Sequence, residues 1–284
     1  MAQLLKGSEV TAVLNEKLKA EVIELKNKNI NPTLGIVRVG ERPDDLSYER
    51  GATKRCETIG VDVQKFVLPE DVTQQELLKT IEAINKNDKI HGVLIFRPLP
   101  KHINDETVRA ALAPEKDIDG ITDGSLVGVF TGTNQGFPPC TAQACMEILD
   151  HFKIDCTGKK AVVIGRSLVV GKPAAMMLVK KNATTTICHT RTVDMPSVCR
   201  QADILIVAAG RAGVVGKEYV SAGQTVIDVG INMNAEGKLC GDVNFDEVEP
   251  IVGAITPVPG GVGTVTTTVL VGHVIRAAER TLDK

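Results

Sequence analysis

The chain has 284 residues, of which 43% are hydrophobic and 3% aromatic, with 33 basic against 35 acidic side chains. This length is typical of about two domains, and a net charge of −2 leaves neither the basic surface nor the aromatic faces that nucleic acids require. The sequence shows no signal peptide, membrane span, zinc spacing or disulfide framework, so we expect a soluble cytoplasmic protein with no bound metal and no membrane partner.

The first half of the chain alternates short runs rich in Val and Ile with longer stretches of helical period. This alternation is typical of parallel sheets built from βαβ units, and it predicts an α/β fold. The predicted elements, in chain order, are a helix through Leu14 and Leu25 with Ser8 as N-cap, a strand at 34–39, a helix at 46–59, a strand at 61–68, a helix at 74–84 and a strand at 92–96.

The second half follows a stretch, residues 114–139, that is punctuated by glycine and proline. We expect no long regular element there and a domain hinge near its end. The elements predicted after it are a helix at 141–152, a strand at 161–164, a helix at 172–180, strands at 184–188, 204–207 and 226–229, and a final apolar helix after the glycine-rich tract 257–263. This order is typical of a dinucleotide-binding domain.

The turn after the predicted strand 161–164 is a candidate cofactor site. Gly165-Arg166-Ser167 leaves the strand and Gly171 opens the next helix, so backbone N–H groups at a helix N-terminus could face a pyrophosphate. The segment is not the GxGxxG fingerprint, because Arg166 stands where the second glycine would be. An ordinary strand-to-helix turn therefore explains it equally well.

The end of the following strand favours NADP over NAD. An NAD site usually has an acidic residue there that binds the ribose 2′-hydroxyl, whereas this chain has Cys188-His189-Thr190-Arg191. Arg166 and Arg191 together offer forked donors suited to a 2′-phosphate. His189 has no second ligand-type residue at metal spacing, which favours a structural or loop role.

A set of short motifs, in one order along almost the whole chain, resembles a single family. The motifs are PTLGIVRVG at 32–40, Tyr48 with Cys56 and Gly60, Pro98-Leu99-Pro100, KDIDG at 116–120, Pro139-Cys140-Thr141, Gly165-Arg166-Ser167 with VGKP at 170–173, Cys188-His189, VIDVGIN at 226–232 and PVPGGVG at 257–263. In these motifs the chain resembles the bifunctional methylenetetrahydrofolate dehydrogenase/methenyltetrahydrofolate cyclohydrolases of one-carbon metabolism.

The resemblance implies two α/β domains with a cleft between them, a tetrahydrofolate substrate and a homodimer. Residues 1–139 and 266–284 would form the catalytic, folate-binding domain, and residues 140–265 the Rossmann-like NAD(P)-binding domain. Tyr48 and Asp119 are implied in catalysis and folate binding, and the implied further folate contacts are Pro259, Gly260 and Gly261. The implied cofactor contacts are Gly165, Arg166, Ser167, Thr190, Arg191, Gly210, Ile231, Gly263 and Thr266.

Two departures from the family concern its second reaction. Family members oxidise 5,10-methylenetetrahydrofolate to the methenyl cation by hydride transfer and then usually hydrolyse that cation, using a Lys four residues after the Tyr. Here Ala52 takes that position, Lys54 matches the family's second Lys, and Phe96 replaces the Gln that bonds to the missing Lys. Because both polar partners are replaced together, neither is left as a buried group without a hydrogen bond, and we predict a changed activity.

Three functions stay open at this stage. We expect an NADP-dependent dehydrogenase that has lost cyclohydrolase activity and whose methenyl product passes to a separate hydrolase. The alternatives are a bifunctional enzyme in which Glu49, Lys54 or a bound water replaces the missing Lys, and a catalytically silent folate- and NADP-binding protein. Two further departures, Asp45 for Ser and Thr264-Val265 for Pro-Met, are expected to have local effects.

Overall fold

The computed structural model describes residues 1–282 and contains two compact units. Residues 1–12 with 141–266 form the six-stranded unit, and residues 13–140 with the chain from Thr267 form the three-stranded unit. The sequence places residues 1–12 in the other domain. The structure differs because Gln3 and Leu4 form a strand that pairs in parallel with Ala254 and Ile255.

The predicted helices and strands are present in the predicted order, together with shorter elements that the sequence did not predict, and the predicted α/β fold is confirmed. In the first half they are β1 (Gln3–Leu4), α1 (Gly7–Asn27), β2 (Thr33–Val39), α2 (Pro43–Ile59), β3 (Asp62–Leu68), α3 (Gln74–Asn85), β4 (Gly92–Ile95), α4 (Asp105–Ala111) and α5 (Asp123–Thr131). In the second half they are α6 (Cys140–His151), β5 (Lys160–Ile164), α7 (Gly171–Lys180), β6 (Thr184–Cys188), α8 (Met195–Arg200), β7 (Ile204–Val207), β8 (Thr225–Asp228), β9 (Asn232–Met233), β10 (Leu239–Cys240), α9 (Phe245–Val248), β11 (Ala254–Ile255) and α10 (Val262–Glu279).

The three-stranded unit is built on a parallel sheet with the order β3-β2-β4. Strand β2 is central and is buried from Leu34 to Val39, as expected for a parallel strand that is covered on both faces. Next to β4, Val93 forms an isolated parallel bridge with Asp117. This bridge brings the segment that carries Asp119 to the sheet.

The six-stranded unit contains a parallel sheet with the order β1-β11-β8-β7-β5-β6. After β5 the chain adds β6 on one side, and then β7 and β8 on the other, so the strand order reverses between β5 and β7. In open parallel sheets, ligands bind beyond the carboxyl ends of the strands at such a reversal.

The stretch 114–139 contains a nine-residue helix that the sequence did not predict, and the N-cap predicted for α1 is wrong. Residues 123–131 form the helix α5 despite the surrounding glycines and prolines, because the Thr122 side chain caps its N-terminus by accepting from the Ser125 N–H at 3.1 Å. Ser8 is not the N-cap of α1, because the helix already begins at Gly7, whose N–H donates to the carbonyl of Gly260 at 2.8 Å. Within residues 1–282, no helix is long and apolar enough to cross a membrane.

Candidate functional site

A cavity of about 360 Å³ lies at the carboxyl ends of β5, β6 and β7 in the six-stranded unit. Three loops supply most of its wall, and hydrophobic side chains and Tyr219 supply the rest. The lining residues are Ile164, Gly165, Arg166, Ser167, His189, Thr190, Met195, Ala208, Ala209, Arg211, Val214, Val215 and Tyr219. Cavities of this volume are at the lower end of the range for small-molecule sites.

The first loop of the cavity packs backbone against backbone. A Cβ atom at Gly165, where φ is +120°, would lie 2.3 Å from the Ala208 carbonyl oxygen, and one at Gly171 would lie 2.1 Å from the Gly165 carbonyl oxygen. The Ser167 hydroxyl accepts from the N–H groups of Val170 and Gly171 at 3.1 and 3.4 Å. These amides, expected to face a pyrophosphate, are therefore bound to Ser167 in this structure.

Four of the predicted cofactor residues line this cavity: Gly165, Arg166, Ser167 and Thr190. The lining does not include Arg191, Gly210, Ile231, Gly263 or Thr266, and their contacts with the cofactor stay predictions. Arg191 is exposed, and its N–H donates to His189 Nδ1 at 3.2 Å. His189 therefore accepts a hydrogen bond within its own loop and also lines the cavity, and its structural or loop role stays a prediction.

Sequence reasoning missed Arg211, an exposed arginine in the loop after β7. Arg166 and Arg211 are the arginines in the cavity wall, and both can donate to phosphate oxygens. Its position could have identified it. Arg211 follows β7, one of the two strands between which the strand order reverses, and ligands bind beyond the ends of such strands.

In the three-stranded unit, a buried ion-pair network fixes how α2 packs on the sheet. The carboxylate of Glu49 accepts from Arg38 Nε on β2 at 2.8 Å and from Lys65 Nζ on β3 at 2.7 Å. The side chains of Arg38 and Glu49 are only 7% and 8% exposed. Burial alone would raise the pKa of Glu49, but the bonds from Lys65 and Arg38 outweigh it and lower the pKa.

The face of α2 that carries Tyr48 and Ala52 is apolar at the position where the resemblance implies a Lys. Tyr48 packs edge-on against Phe96, with the ring centroids 5.9 Å apart and the ring planes at 81°. Ala52, one helical turn after Tyr48, is fully buried, and Phe96 is 8% exposed. Lys54 is exposed.

Burial raises the pKa of Tyr48 well above its usual range, and the charge of the Asp119 carboxyl adds to this rise. Burial raises the pKa of Asp119 itself to about 6, a hydrogen bond from Cys140 opposes this rise, and the like charge of Asp117 adds to it. The structure therefore brings together Tyr48 and Asp119, a neutral phenol and a carboxyl that titrates close to neutral pH.

The backbone before Asp119 is fixed from α10 and α6. The Ile118 carbonyl accepts from His273 Nδ1 at 2.8 Å and from the Cys140 thiol at 3.1 Å. Burial lowers the pKa of His273 to about 3, so its ring is neutral. Pro259, Gly260 and Gly261 belong to the six-stranded unit, and their meeting with Tyr48 and Asp119 at one folate site stays a prediction.

Comparison with known proteins gives one consistent answer. The model of the tetrahydrofolate dehydrogenase/cyclohydrolase catalytic domain matches residues 5–119, and that of the corresponding NAD(P)-binding domain matches residues 139–282. The Bifunctional protein FolD of Carboxydothermus hydrogenoformans is 55% identical over 98% of both chains.

Two solved structures extend the comparison. The FolD methylenetetrahydrofolate dehydrogenase/cyclohydrolase of Campylobacter jejuni has a TM-score of 0.96 and 38% identity, covering 99% of this chain and 100% of its own. The Trypanosoma brucei dehydrogenase-cyclohydrolase, complexed with NADP and an inhibitor, has a TM-score of 0.92 and 32% identity, covering 100% of this chain and 99% of its own.

Proposed function

Since the chain belongs to the tetrahydrofolate dehydrogenase/cyclohydrolase family, we propose that it is an NADP-dependent methylenetetrahydrofolate dehydrogenase that has lost the cyclohydrolase activity. The dehydrogenase activity and NADP follow from the two matched domains and from relatives such as the NADP-bound enzyme of Trypanosoma brucei. The loss of hydrolysis is the further step, and it rests on the apolar contact of Phe96 with Tyr48 beside the buried Ala52.

The six-stranded unit has a cavity whose residues fit NADP. When bound, NADP supplies the nicotinamide that accepts a hydride from the folate carbon. Arg166 and Arg211 line the cavity and offer guanidinium donors for phosphate oxygens. The backbone packs so closely at Gly165 and Gly171 that no side chain fits at either position, which fixes the conformation of this turn.

The three-stranded unit supplies the groups proposed to bind folate. The Asp119 carboxylate accepts hydrogen bonds from the N–H donors of the pterin-like ring, and Tyr48 lies beside it. Hydride transfer requires mainly that donor and acceptor carbons are aligned and that water is excluded. An apolar surface at Ala52 and Phe96 is compatible with both requirements.

Hydrolysis of the methenyl cation needs an acid/base group that activates water. Glu49 is a poor substitute for the missing Lys, because it is already paired with Arg38 and Lys65 and has a lowered pKa. Lys54 is exposed, on a different side of α2 from the buried Ala52. Tyr48 is protonated at neutral pH, since the ordinary pKa of a phenol lies well above 7 and burial raises it further.

One observation favours a second candidate, a bifunctional enzyme that uses Asp119 as its base. A carboxyl with a pKa of about 6 is suited to general acid/base work near neutral pH. In that case the Asp119→Asn variant, which lacks the carboxyl, would no longer hydrolyse the methenyl compound. We rank this function second, because the same carboxyl is needed to bind the folate ring.

The deciding experiment follows NADPH formation and methenyltetrahydrofolate separately in one spectroscopic assay. We expect robust dehydrogenase turnover, with methenyltetrahydrofolate accumulating and decaying no faster than in enzyme-free buffer. General acid/base catalysis contributes about 10²–10⁴-fold, so even a partial substitute would make the decay depend on enzyme concentration. Hydrolysis at a rate comparable with dehydrogenase turnover would contradict the proposed loss.

A pair of substitutions tests whether Ala52 and Phe96 are the cause. Ala52→Lys alone should restore little hydrolysis, because Phe96 offers no hydrogen bond and an apolar wall disfavours the ammonium form. Ala52→Lys combined with Phe96→Gln should recover more than the two single changes predict together. If the single Ala52→Lys variant hydrolyses as fast as the double variant, Phe96 is not the missing partner.

We propose in addition that the protein works as a cytoplasmic homodimer and hands its methenyl product to a separate hydrolase. The need for a separate hydrolase follows from the chemistry, because a methenyl cation that is not hydrolysed where it forms must be consumed by another enzyme. Light scattering coupled to gel filtration measures the oligomeric state directly. A monomer at micromolar concentration would contradict the dimer.

A further inference from the structure

The loop after β7, which supplies one wall of the cofactor cavity, is bound through its backbone to a single carboxylate. The N–H groups of Ala209 and Gly210 donate to Asp242 Oδ2 at 2.6 and 2.8 Å, and the N–H of Arg211 donates to Asp242 Oδ1 at 2.9 Å. Asp242 follows β10 and is fully buried. It does not line the cavity itself.

Asp242 is in turn fixed by neighbouring groups. Asn232 Nδ2 donates to its Oδ1 at 2.9 Å, and its own N–H donates to Asp228 Oδ1 at 3.0 Å. Asp228, at the end of β8, also accepts from the N–H groups of Gly230 and Val243, both at 2.9 Å. Two linked carboxylates therefore connect the end of β8 to the loop after β7.

Two glycines allow the backbone to close around these carboxylates. A Cβ atom at Gly230 would lie 2.3 Å from the Asp242 nitrogen, and one at Gly241 would lie 1.8 Å from Asp228 Oδ2. Neither position has room for a side chain. Asp242 is thus enclosed, and its position cannot change without moving the backbone around it.

We infer that Asp242 is a positioning residue for the cofactor: it holds residues 209–211 in the conformation that forms the cavity wall before the cofactor binds. This inference rests on the proposed function, because it assigns the cavity to NADP. Ordering a loop at the moment of binding costs affinity, and a loop that is already ordered avoids this cost. Without the carboxylate, three adjacent N–H groups would lose their acceptor, and Arg211 would no longer be held at the cavity wall.

A residue with only a structural role would act differently. Its loss would lower the stability of the six-stranded unit and leave the affinity for the cofactor unchanged. Asp117 provides a matched control, because it is also fully buried and accepts from two backbone N–H groups, those of Ile121 and Thr122, at 3.0 and 2.7 Å. It lies in the three-stranded unit, far in sequence from the cavity loops.

The test is a titration of each protein with NADP alone, together with steady-state KM values for NADP and for the folate substrate. Asp242→Asn should raise the Kd for NADP by roughly tenfold or more, since it removes charge-assisted bonds from three amides of the loop after β7, and should leave the folate KM within about twofold. Asp117→Asn should leave the Kd for NADP within about twofold of that of the unmodified protein. An Asp242→Asn protein that binds NADP like the unmodified protein would overturn the inference.

The NADP titration separates this inference from the proposed function. A protein that binds NADP but neither oxidises methylenetetrahydrofolate nor accumulates the methenyl product would contradict the proposed function and leave the role of Asp242 testable. NADP binding needs no folate and no turnover. The two conclusions can therefore fail independently.

A second measurement on the unmodified protein covers the case in which Asp242→Asn does not fold. Hydrogen exchange should show the amides of residues 209–211 protected in the free protein, because their acceptor is buried and already in place. If these amides exchange as fast as an unstructured loop until NADP is added, the cofactor itself orders the wall and the inference is wrong.

Discussion

In the proposed function, the ionisation of Asp119 controls the strength of folate binding. Burial raises the pKa of its carboxyl to about 6, so the group is mostly anionic at pH 7 and mostly neutral at pH 5. Only the anion accepts charge-assisted hydrogen bonds from the ring donors. We expect kcat/KM for the folate substrate to fall as the pH drops through about 6, and this decrease to disappear in Asp119→Asn.

The same variant gives a control on the cofactor. Asp119→Asn should lower kcat/KM for folate at pH 7 by roughly tenfold, the equivalent of one charge-assisted bond, without changing the Kd for NADP. Asp228 also has a pKa of about 6, but it lies in the six-stranded unit. If the decrease below pH 6 persists in Asp119→Asn, a different group is responsible for it.

Single residues were predictable where the motif fixes their position. Ala52 and Phe96 could be recognised because each occupies a defined place in a motif, and the structure adds the buried contact between Phe96 and Tyr48. Arg211 and Asp242 could not be recognised in this way. The two residues lie about 30 positions apart in the sequence and are joined by a hydrogen bond in the fold. Neither local periodicity nor composition indicates which distant residues will meet in this way.

Helix α2 shows how one ion-pair network sets the orientation of an element. Glu49 joins the helix to Arg38 on β2 and Lys65 on β3, and Tyr48 is the preceding residue. Glu49→Gln removes the charge that compensates the buried Arg38, and we expect a loss of about 3 kcal/mol in the free energy of unfolding. Urea denaturation followed by circular dichroism measures this loss.

Glu82 is the matched control for this prediction. It pairs with Lys86, the residue just after α3, and the two side chains are 63% and 73% exposed, so this surface pair contributes little to stability. Glu82→Gln should therefore unfold almost like the unmodified protein. Equal losses for the two variants would show that the network around Glu49 does not anchor α2.

Among the elements, α5 shows where sequence patterns fall short. Its two glycines and its position in a stretch rich in glycine and proline indicate a loop. The structure forms a helix because Thr122 caps the N-terminus and Gly132 ends the helix in the left-handed conformation. Both capping residues can be read in the sequence. The high glycine content nevertheless favours a loop, because the sequence does not show whether Thr122 and Gly132 adopt the backbone conformations of helix caps.

At the scale of the whole molecule, the N-terminal segment belongs to the six-stranded unit. Leu5 follows β1 and is fully buried, and its backbone N–H donates to the Ile255 carbonyl at 2.9 Å. Leu5→Ala should lower the free energy of unfolding by about 2–4 kcal/mol. It should also lower the midpoint temperature of the thermal transition whose midpoint NADP raises. The neighbouring Leu4 is 37% exposed, so Leu4→Ala is the control and should cause a much smaller decrease.

The outcome also tests the division of the chain. If Leu5→Ala lowers only a transition that NADP does not affect, the N-terminal segment stabilises the three-stranded unit instead. The sequence could not predict this assignment, because β1 and β11 are strands of two residues each. Such short runs show no periodicity, and their partner lies about 250 positions away along the chain.

The pairing of β1 with β11 also affects how the protein is made. Ribosomes add about 5–20 residues per second, so the first strand of the chain waits roughly 10–50 s for its partner to be synthesised. The three-stranded unit waits as well, because it includes the chain from Thr267 onward. A nascent chain that stalls before residue 254 therefore exposes the edge of β8 that β11 covers in the finished protein.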